Sequence, residues 1–271
     1  MGTFTKKIKL HFSRFVQDFK KDKILNENTI LKNKFQNKKC YIIGNAPSVN
    51  NHDLKLLNNE YSFVVNSFFA HKYFYEINPN FYVFADPDLW NFNDPEIEVW
   101  WNQLIEKSLN KDIVFFLPLQ FKNTFVSKKL ENEKVHFLDL SLQFKSKIAQ
   151  QFDMKYPVNG VQNVLILCIQ IAIYLGFTEI YLLGADHDWL SHFGNEQRHF
   201  YTSEENEVQN VGSQGYPYNW WLNAVNTMFQ QYKVLNEIAV SKNIKIYNAS
   251  ESGVLDIYPQ ARYLETFKNK N

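Results

Sequence analysis

Cysteine is nearly absent from this 271-residue chain, which has two, Cys40 and Cys168. Both lie inside apolar runs, with no CxxC pair or Cys/His cluster beside them. The sequence therefore predicts buried thiols in a reducing compartment, and no zinc site. Excess charge is lacking too: 29 Lys and Arg against 28 Asp and Glu leave a formal net charge of +1. That balance argues against a general electrostatic binder of nucleic acid. No run approaches the roughly 20 apolar residues of a transmembrane helix, and the N-terminus has neither the apolar core nor the cleavage site of a signal peptide. The expected location is the cytoplasm. Familiar phosphate and nucleophile signatures are missing as well. G-x-x-x-x-G-K-[ST] does not occur, the first turn lacks G-x-G-x-x-G, and Gly44-Asn45-Ala46-Pro47-Ser48 is not a G-x-S-x-G elbow. P-loop phosphoryl transfer and ordinary NAD binding are disfavoured. No internal repeat is visible.

What is abundant is aromatic surface, 17% of residues, with 24 Phe, 15 Tyr and 6 Trp. Much of it suits the core of a covered sheet, and a surplus would suit a groove for sugars or bases. With 45% hydrophobic and 21% charged residues, the chain reads as globular, with room for one large α/β domain with extras or two small ones. Residues 1–37 differ from the rest. Phe12, Phe15, Val16 and Phe19 recur at helical spacing beside Lys6, Lys7, Lys9, Arg14, Lys20, Lys21 and Lys23. This basic amphipathic helix has three candidate partners: anionic lipid as a peripheral membrane contact, its own domain, or a second subunit in a homo-oligomer.

From residue 38 to 265 strands alternate with helices. Strands are expected at Cys40–Ile43, Phe63–Val65, Phe81–Ala85, Ile113–Leu117, Val135–Leu138, Glu179–Leu183 and Ile244–Tyr247. Helices are expected after Pro47, through Asp53–Leu57, and at Ser67–Tyr75, Glu96–Leu109, Val161–Leu175 and Asn219–Val240. The pattern predicts a doubly wound, mostly parallel Rossmann-like α/β sheet. Between residues 188 and 218 it fails. That segment is polar yet rich in Tyr, Phe and His, and reads as an inserted lid or substrate loop.

In a doubly wound sheet, ligands bind at the carboxyl ends of strands. Four predicted strand ends carry polar residues: Asn45, Asn66, Asp86 with Asp88, and Asp186 with His187 and Asp188. Each alone is an ordinary turn former. Gly44 permits a turn closed to other residues, and Pro47-Ser48 opens a helix whose N-terminus suits an anion. Asp86-Pro87-Asp88 suits either a divalent cation or a helix cap. Arg198, His199 and Tyr201 supply a fixed cation, a base and a hydroxyl, the set required by transfer from a phosphate leaving group. The plainer alternative is a solvated charged loop. His192 falls in the same loop, and His11, His52, His71 and His136 read as surface or packing residues.

These motifs, with Val65-Asn66-Ser67, Asn159-Gly160-Val161 and the run Ala172 to Asp186, resemble two related groups. One is the bacterial sialyltransferases of lipooligosaccharide synthesis, which carry a G-N-G-P-S turn and an A-x-x-L-G-x-x-E-I-Y-L-x-G-x-D segment. The other is the MptE-like family, named for an archaeal 6-hydroxymethylpterin diphosphokinase, with related domains in flagellin-glycosylating factors. Asn78-Pro79-Asn80 through Asp86-Pro87 is similar to the second group. The resemblance spans roughly residues 39–260, apart from 188–218.

It implies an inverting glycosyltransferase moving a sialic-acid-like (nonulosonate) sugar from a CMP donor to a surface glycan or glycolipid, as in lipopolysaccharide or capsule biosynthesis. No obligatory metal or other cofactor is implied. By analogy Gly44, Asn45, Ser48, Asn66, Asp86, Gly160 and Asp186 lie at the donor. Ser250, Ser252 and Gly253 form a donor-contacting turn, and Tyr201, Tyr216 and Tyr218 face the leaving phosphate. His199 is the expected base and His187 the second choice, with Arg198 stabilising departing CMP. Two departures stand out: Ala46 replaces a glycine, and the G-H-S around the family histidine is absent. Two other functions stay open: a diphosphokinase using ATP and Mg²⁺ held by Asp86, Asp88 and Asp186, and a non-catalytic nucleotide-sugar-binding component of a glycan pathway.

Overall fold

The computed structural model describes residues 21–268 except 109–110, 124–133, 143–151, 194–198 and 201–215. Seven short apolar runs form strands: β1 Lys39–Ile43, β2 Ser62–Val65, β3 Phe81–Val83, β4 Val114–Pro118, β5 Lys134–Leu138, β6 Glu179–Leu183 and β7 Lys245–Asn248. They build one all-parallel sheet in the order β5-β4-β3-β2-β1-β6-β7. From β1 the chain adds strands outward to β5, then returns to place β6 on the other side of β1. The order reverses between β1 and β6, which opens a crevice at their carboxyl ends.

Residues alternate between two cores with the period of a strand. Cys40, Ile42, Ile180 and Leu182 face one side, against α2 (Val164–Leu175) and α3 (Tyr218–Ser241). Tyr41, Ile43, Tyr181 and Leu183 face the other, against α1 (Pro95–Ser108), short 3₁₀ turns and the C-terminal segment. Helix α2 is buried at every position from Leu165 to Leu175, including Gln170. Its N-terminus is capped by Asn163, whose Oδ1 accepts from Leu165 N–H at 2.8 Å, and it ends at Gly176 with φ 93°. The sequence-based start at Val161 is thus three residues early, because Asn163 caps in extended conformation.

The N-terminal segment joins the domain before residue 37. Leu25 and Leu31 are buried, and Asn28 Nδ2 donates to the carbonyls of Phe137 (2.9 Å) and Met154 (2.8 Å). Main-chain bonds from Asn33 and Phe35 reach the end of α2. The basic stripe of residues 1–20 lies outside the described residues, as do Arg198 and Tyr201. No helix among the described residues is long and apolar enough to cross a membrane.

Candidate functional site

The strands with predicted polar ends are neighbours, in the order β3-β2-β1-β6, and β7 adds the Ser250–Gly253 turn beside them. At the crevice, the turns after β1 and β6 touch through their backbones. A Cβ on Gly44 would lie 2.3 Å from the Gly184 carbonyl oxygen, and one on Gly184 would lie 2.8 Å from that of Gly44. Gly184 has φ 61°, whereas Gly44 is not among the residues with positive φ. Glycine at 44 is thus required by close approach, not by the special turn conformation that the sequence suggests.

The expected helix after Pro47 is a five-residue 3₁₀ turn, Pro47–Asn51, and Leu54–Leu57 is a second, separate one. One such turn adds little dipole, and its anion is internal. Ser48 N–H donates to Asp186 Oδ2 at 3.1 Å, and Ser48 Oγ donates a short bond to Asp186 Oδ1. Asp186 is buried, with 3% exposure. Desolvation raises its pKa, while bonds from Ser48 and Ser252 pull it down. Gly253 (φ 106°) packs directly on the Asp186 backbone, and Val254 N–H donates to the Asp186 carbonyl at 2.8 Å. Ser250 Oγ accepts from Ala185 N–H at 3.0 Å. Ser48, Asp186, Ser250 and Gly253 therefore form an internal clasp joining the ends of β1, β6 and β7. The sequence marks all four as donor contacts; in the structure Ser48 bonds Asp186, Ser250 bonds Ala185 N–H and Asn248 Oδ1, and Gly253 is packed on the Asp186 backbone.

Three asparagine side chains are different. Asn45 Nδ2 donates to the Val65 carbonyl (3.2 Å), which orients the amide. The Oδ1 atoms of Asn45, Asn66 and Asn159 are buried and have no hydrogen-bond partner among the described residues. Asn66 sits at the end of β2 with φ 46°, its main-chain carbonyl held by Tyr82 Oη at 2.5 Å. Asn159 precedes Gly160, whose N–H donates to the Leu142 carbonyl at 2.8 Å and whose carbonyl accepts from Gln231 Nε2 at 3.4 Å. Buried carbonyl oxygens without donors are costly, and each would be satisfied by a ligand hydroxyl or amine.

Asp86 follows β3 and caps the 3₁₀ turn Pro87–Trp90, Oδ1 accepting from Asp88 N–H at 3.0 Å. Burial raises its pKa. Among the described residues no three His, Cys, Asp or Glu side chains group as metal ligands.

His187, the second choice of base, takes φ 54° at the end of β6 and is buried. Its Nε2 lies 2.8 Å from Tyr232 Oη, and burial depresses its pKa to about 3. A neutral, enclosed imidazole paired with a phenol has the surroundings of a packing residue rather than those of a base open to an acceptor.

His199 is half-exposed, and the next residue ties it to the crevice. Phe200 N–H donates to the Asn45 carbonyl at 2.7 Å, and Asn50 Nδ2 donates to the Phe200 carbonyl at 3.4 Å. The Phe200 ring is buried between Phe68 (5.9 Å) and His71 (4.8 Å). His71, read from sequence as surface or packing, is buried beneath that ring with its pKa depressed to about 4 by burial. Tyr216 and Tyr218 stand exposed at the start of α3, on Trp220 (4.1 Å, stacked) and Phe193 (4.9 Å, edge-on) respectively. Among the described residues, neither bonds to Asn45 or Asn66.

Sequence reasoning gave no site role to Asn159, Asn50, Phe200 or the Phe68/His71 cleft. Asn159 was the most accessible, since it opens the same motif as Gly160. A cavity of about 1120 Å³ is lined by His52, Tyr181, Tyr247, Ser250, Glu251 and Tyr263 among others. None of Asn45, Asn66 and His199 lines it.

Residues 13–192 match the family described as 6-hydroxymethylpterin diphosphokinase MptE-like. No curated protein matches in sequence. Among solved structures, the fold is similar to sialyltransferase CstII from Campylobacter jejuni in complex with the substrate analogue cytidine-5'-monophosphate. That likeness is at 19% identity and TM-score 0.50, covering 83% of this chain and 86% of that one. A second structure of the same enzyme, with CMP-3FNeuAc, is similar at 16% identity and TM-score 0.48, covering 82% and 86%.

Proposed function

The chain belongs to the MptE-like family, and we propose that it is a glycosyltransferase moving a sialic-acid-like sugar from a CMP donor to a surface-glycan acceptor. The observation that carries this reading is the pair of buried, donor-less amide oxygens of Asn45 and Asn66 at adjacent strand ends. They lie beside the crevice where the strand order reverses, and they suit the hydroxyl and amino groups of a nucleoside. CMP is the nucleotide in the similar enzyme of equivalent fold.

In the proposed reaction the acceptor hydroxyl oxygen attacks the anomeric carbon, and the bond from that carbon to the CMP phosphate oxygen breaks. CMP leaves with the electron pair, His199 takes the hydroxyl proton, and a single displacement inverts the centre. Arg198 and the hydroxyls of Tyr201, Tyr216 and Tyr218 would stabilise the leaving phosphate. A monophosphate leaving group needs no obligatory metal. The basic N-terminal segment of residues 1–37 would suit work on a lipid-linked acceptor at the inner membrane face.

The family description supports a second reading, a diphosphokinase; ATP with Mg²⁺ held by Asp86, Asp88 and Asp186 would then be required. A nucleotide-sugar-binding protein without catalysis is the third. Thermal-shift measurements with CMP, CDP, UDP and ATP, each with and without Mg²⁺, separate them. Stabilisation by CMP without metal is expected. Stabilisation by Mg-ATP alone would refute the transferase, and CMP binding without turnover of any CMP-sugar would leave the binding protein.

A further inference from the structure

His199 and Asn45 are 154 positions apart, yet one peptide unit separates the histidine from a hydrogen bond to the Asn45 carbonyl. That bond is part of a three-point anchor. Phe200 N–H meets the β1 turn at Asn45, and the Phe200 carbonyl meets the same turn through Asn50 Nδ2. The ring fills a cleft between Phe68 and His71 on the 3₁₀ turn that begins at Asn66. The anchor thus grips both strand ends that carry the donor-less amides. The cleft is apolar in character: Phe68 stacks on His71 at 5.1 Å, and the His71 Nε2 has no partner among the described residues.

We infer that Phe200 is the positioning residue of the reaction, fixing the His199 imidazole against the nucleotide turn. The inference rests on the reading of His199 as base. Its physical content is that Asn45 serves twice, its side chain towards the nucleotide and its main-chain carbonyl as the dock for the loop. A base displaced by about 1 Å loses on the order of 100-fold in rate, whereas nucleotide contacts made by Asn45 and Asn66 side chains are untouched by the ring at 200.

Three variants of the full chain test this. Phe200→Ala removes the ring, Phe200→Leu keeps an apolar plug, and His199→Ala removes the base. Phe200→Ala should lower kcat about 100-fold with CMP affinity by calorimetry unchanged, and Phe200→Leu should restore most of it. Combined with His199→Ala, Phe200→Ala should add no further loss, since there is no base left to position. The acidic limb of the rate against pH should keep its midpoint in Phe200→Ala while the plateau falls. Losses that multiply in the double variant, or a CMP affinity that falls with kcat, would overturn the inference. Hydrogen exchange read at the Phe200 amide is independent of activity. Protection in the wild type that is lost in Phe200→Ala supports the anchor, and free exchange in the wild type refutes it. A wild type with a protected Phe200 amide but no CMP binding or turnover would refute the function and the positioning role together, leaving only the anchor.

Discussion

Replacing Ser48 with alanine separates a structural clasp from a ligand contact. The hydroxyl donates a short bond to Asp186 Oδ1, and the backbone N–H holds Oδ2 at 3.1 Å. Alanine keeps the second bond and deletes the first, removing one donor from a buried carboxylate. A hydrogen bond to a charged group contributes about 1.5–3 kcal/mol net, and one to a neutral group about 0.5–1.5 kcal/mol. The cost should therefore depend on the protonation of Asp186. Its folded pKa is raised by desolvation above the ordinary 3.8, and the Ser48 bonds oppose that rise. A carboxyl whose pKa rises on folding stabilises fully below its unfolded pKa and loses that contribution as pH climbs through the folded value. Without the hydroxyl the folded value climbs further, so Ser48→Ala should cost most near neutral pH and least near the unfolded carboxylate pKa. Urea unfolding followed through the 6 tryptophans at acid and neutral pH measures the difference. CMP affinity should not change. A loss below about 0.5 kcal/mol at neutral pH, the range of ordinary surface substitutions, would refute the clasp. A loss of CMP binding without loss of stability would return Ser48 to the ligand.

Three more outcomes follow from the same geometry. Gln170 is 1% exposed, and neither amide atom has a partner among the described residues. Gln170→Met should therefore raise the urea midpoint, by about 1–3 kcal/mol in stability; a drop would reveal a missing partner. Gly44→Ala would place Cβ 2.3 Å from the Gly184 carbonyl oxygen. It should cost more than about 3 kcal/mol, visible as a lowered melting temperature, and wild-type melting would disprove the close approach. His71, His136 and His187 have pKa values depressed to about 4, 4 and 3 by burial. Their contribution is complete above the ordinary value of 6.5 and is lost as pH falls towards those folded values. Stability should fall steadily on acidification below pH 6.5, and His187→Gln should flatten the slope; identical slopes would place the proton uptake elsewhere.

Much of the architecture was legible in sequence because strands here are short apolar runs with abrupt polar ends. All seven expected strands form, with bounds shifted by at most two residues. Element ends were less legible: α2 begins three residues late because Asn163 caps it, and the helix after Pro47 is a single 3₁₀ turn. In the site, polarity at strand ends marked the right places but not the right duties. Ser48 and Asp186 look like ligand contacts in sequence because nothing local reveals that they bond each other across 138 positions. Asn45 and Asn66 were marked for the same reason, and their amide oxygens do remain without donors.

By itself the sequence determined the class of fold, the alternation of strand and helix, and which strand ends carry polar groups. Those follow from periodicity and composition, which are local properties of the chain. Only the tertiary structure decided which polar ends are consumed internally and which stay open. It set Gly44 against Gly184, turned Asp186 inward onto Ser48, and brought Phe200 onto the Asn45 carbonyl. Hydrogen-bond satisfaction and close backbone contact depend on partners brought together by the β1–β6 crossover, and no window of sequence contains both members of any such pair.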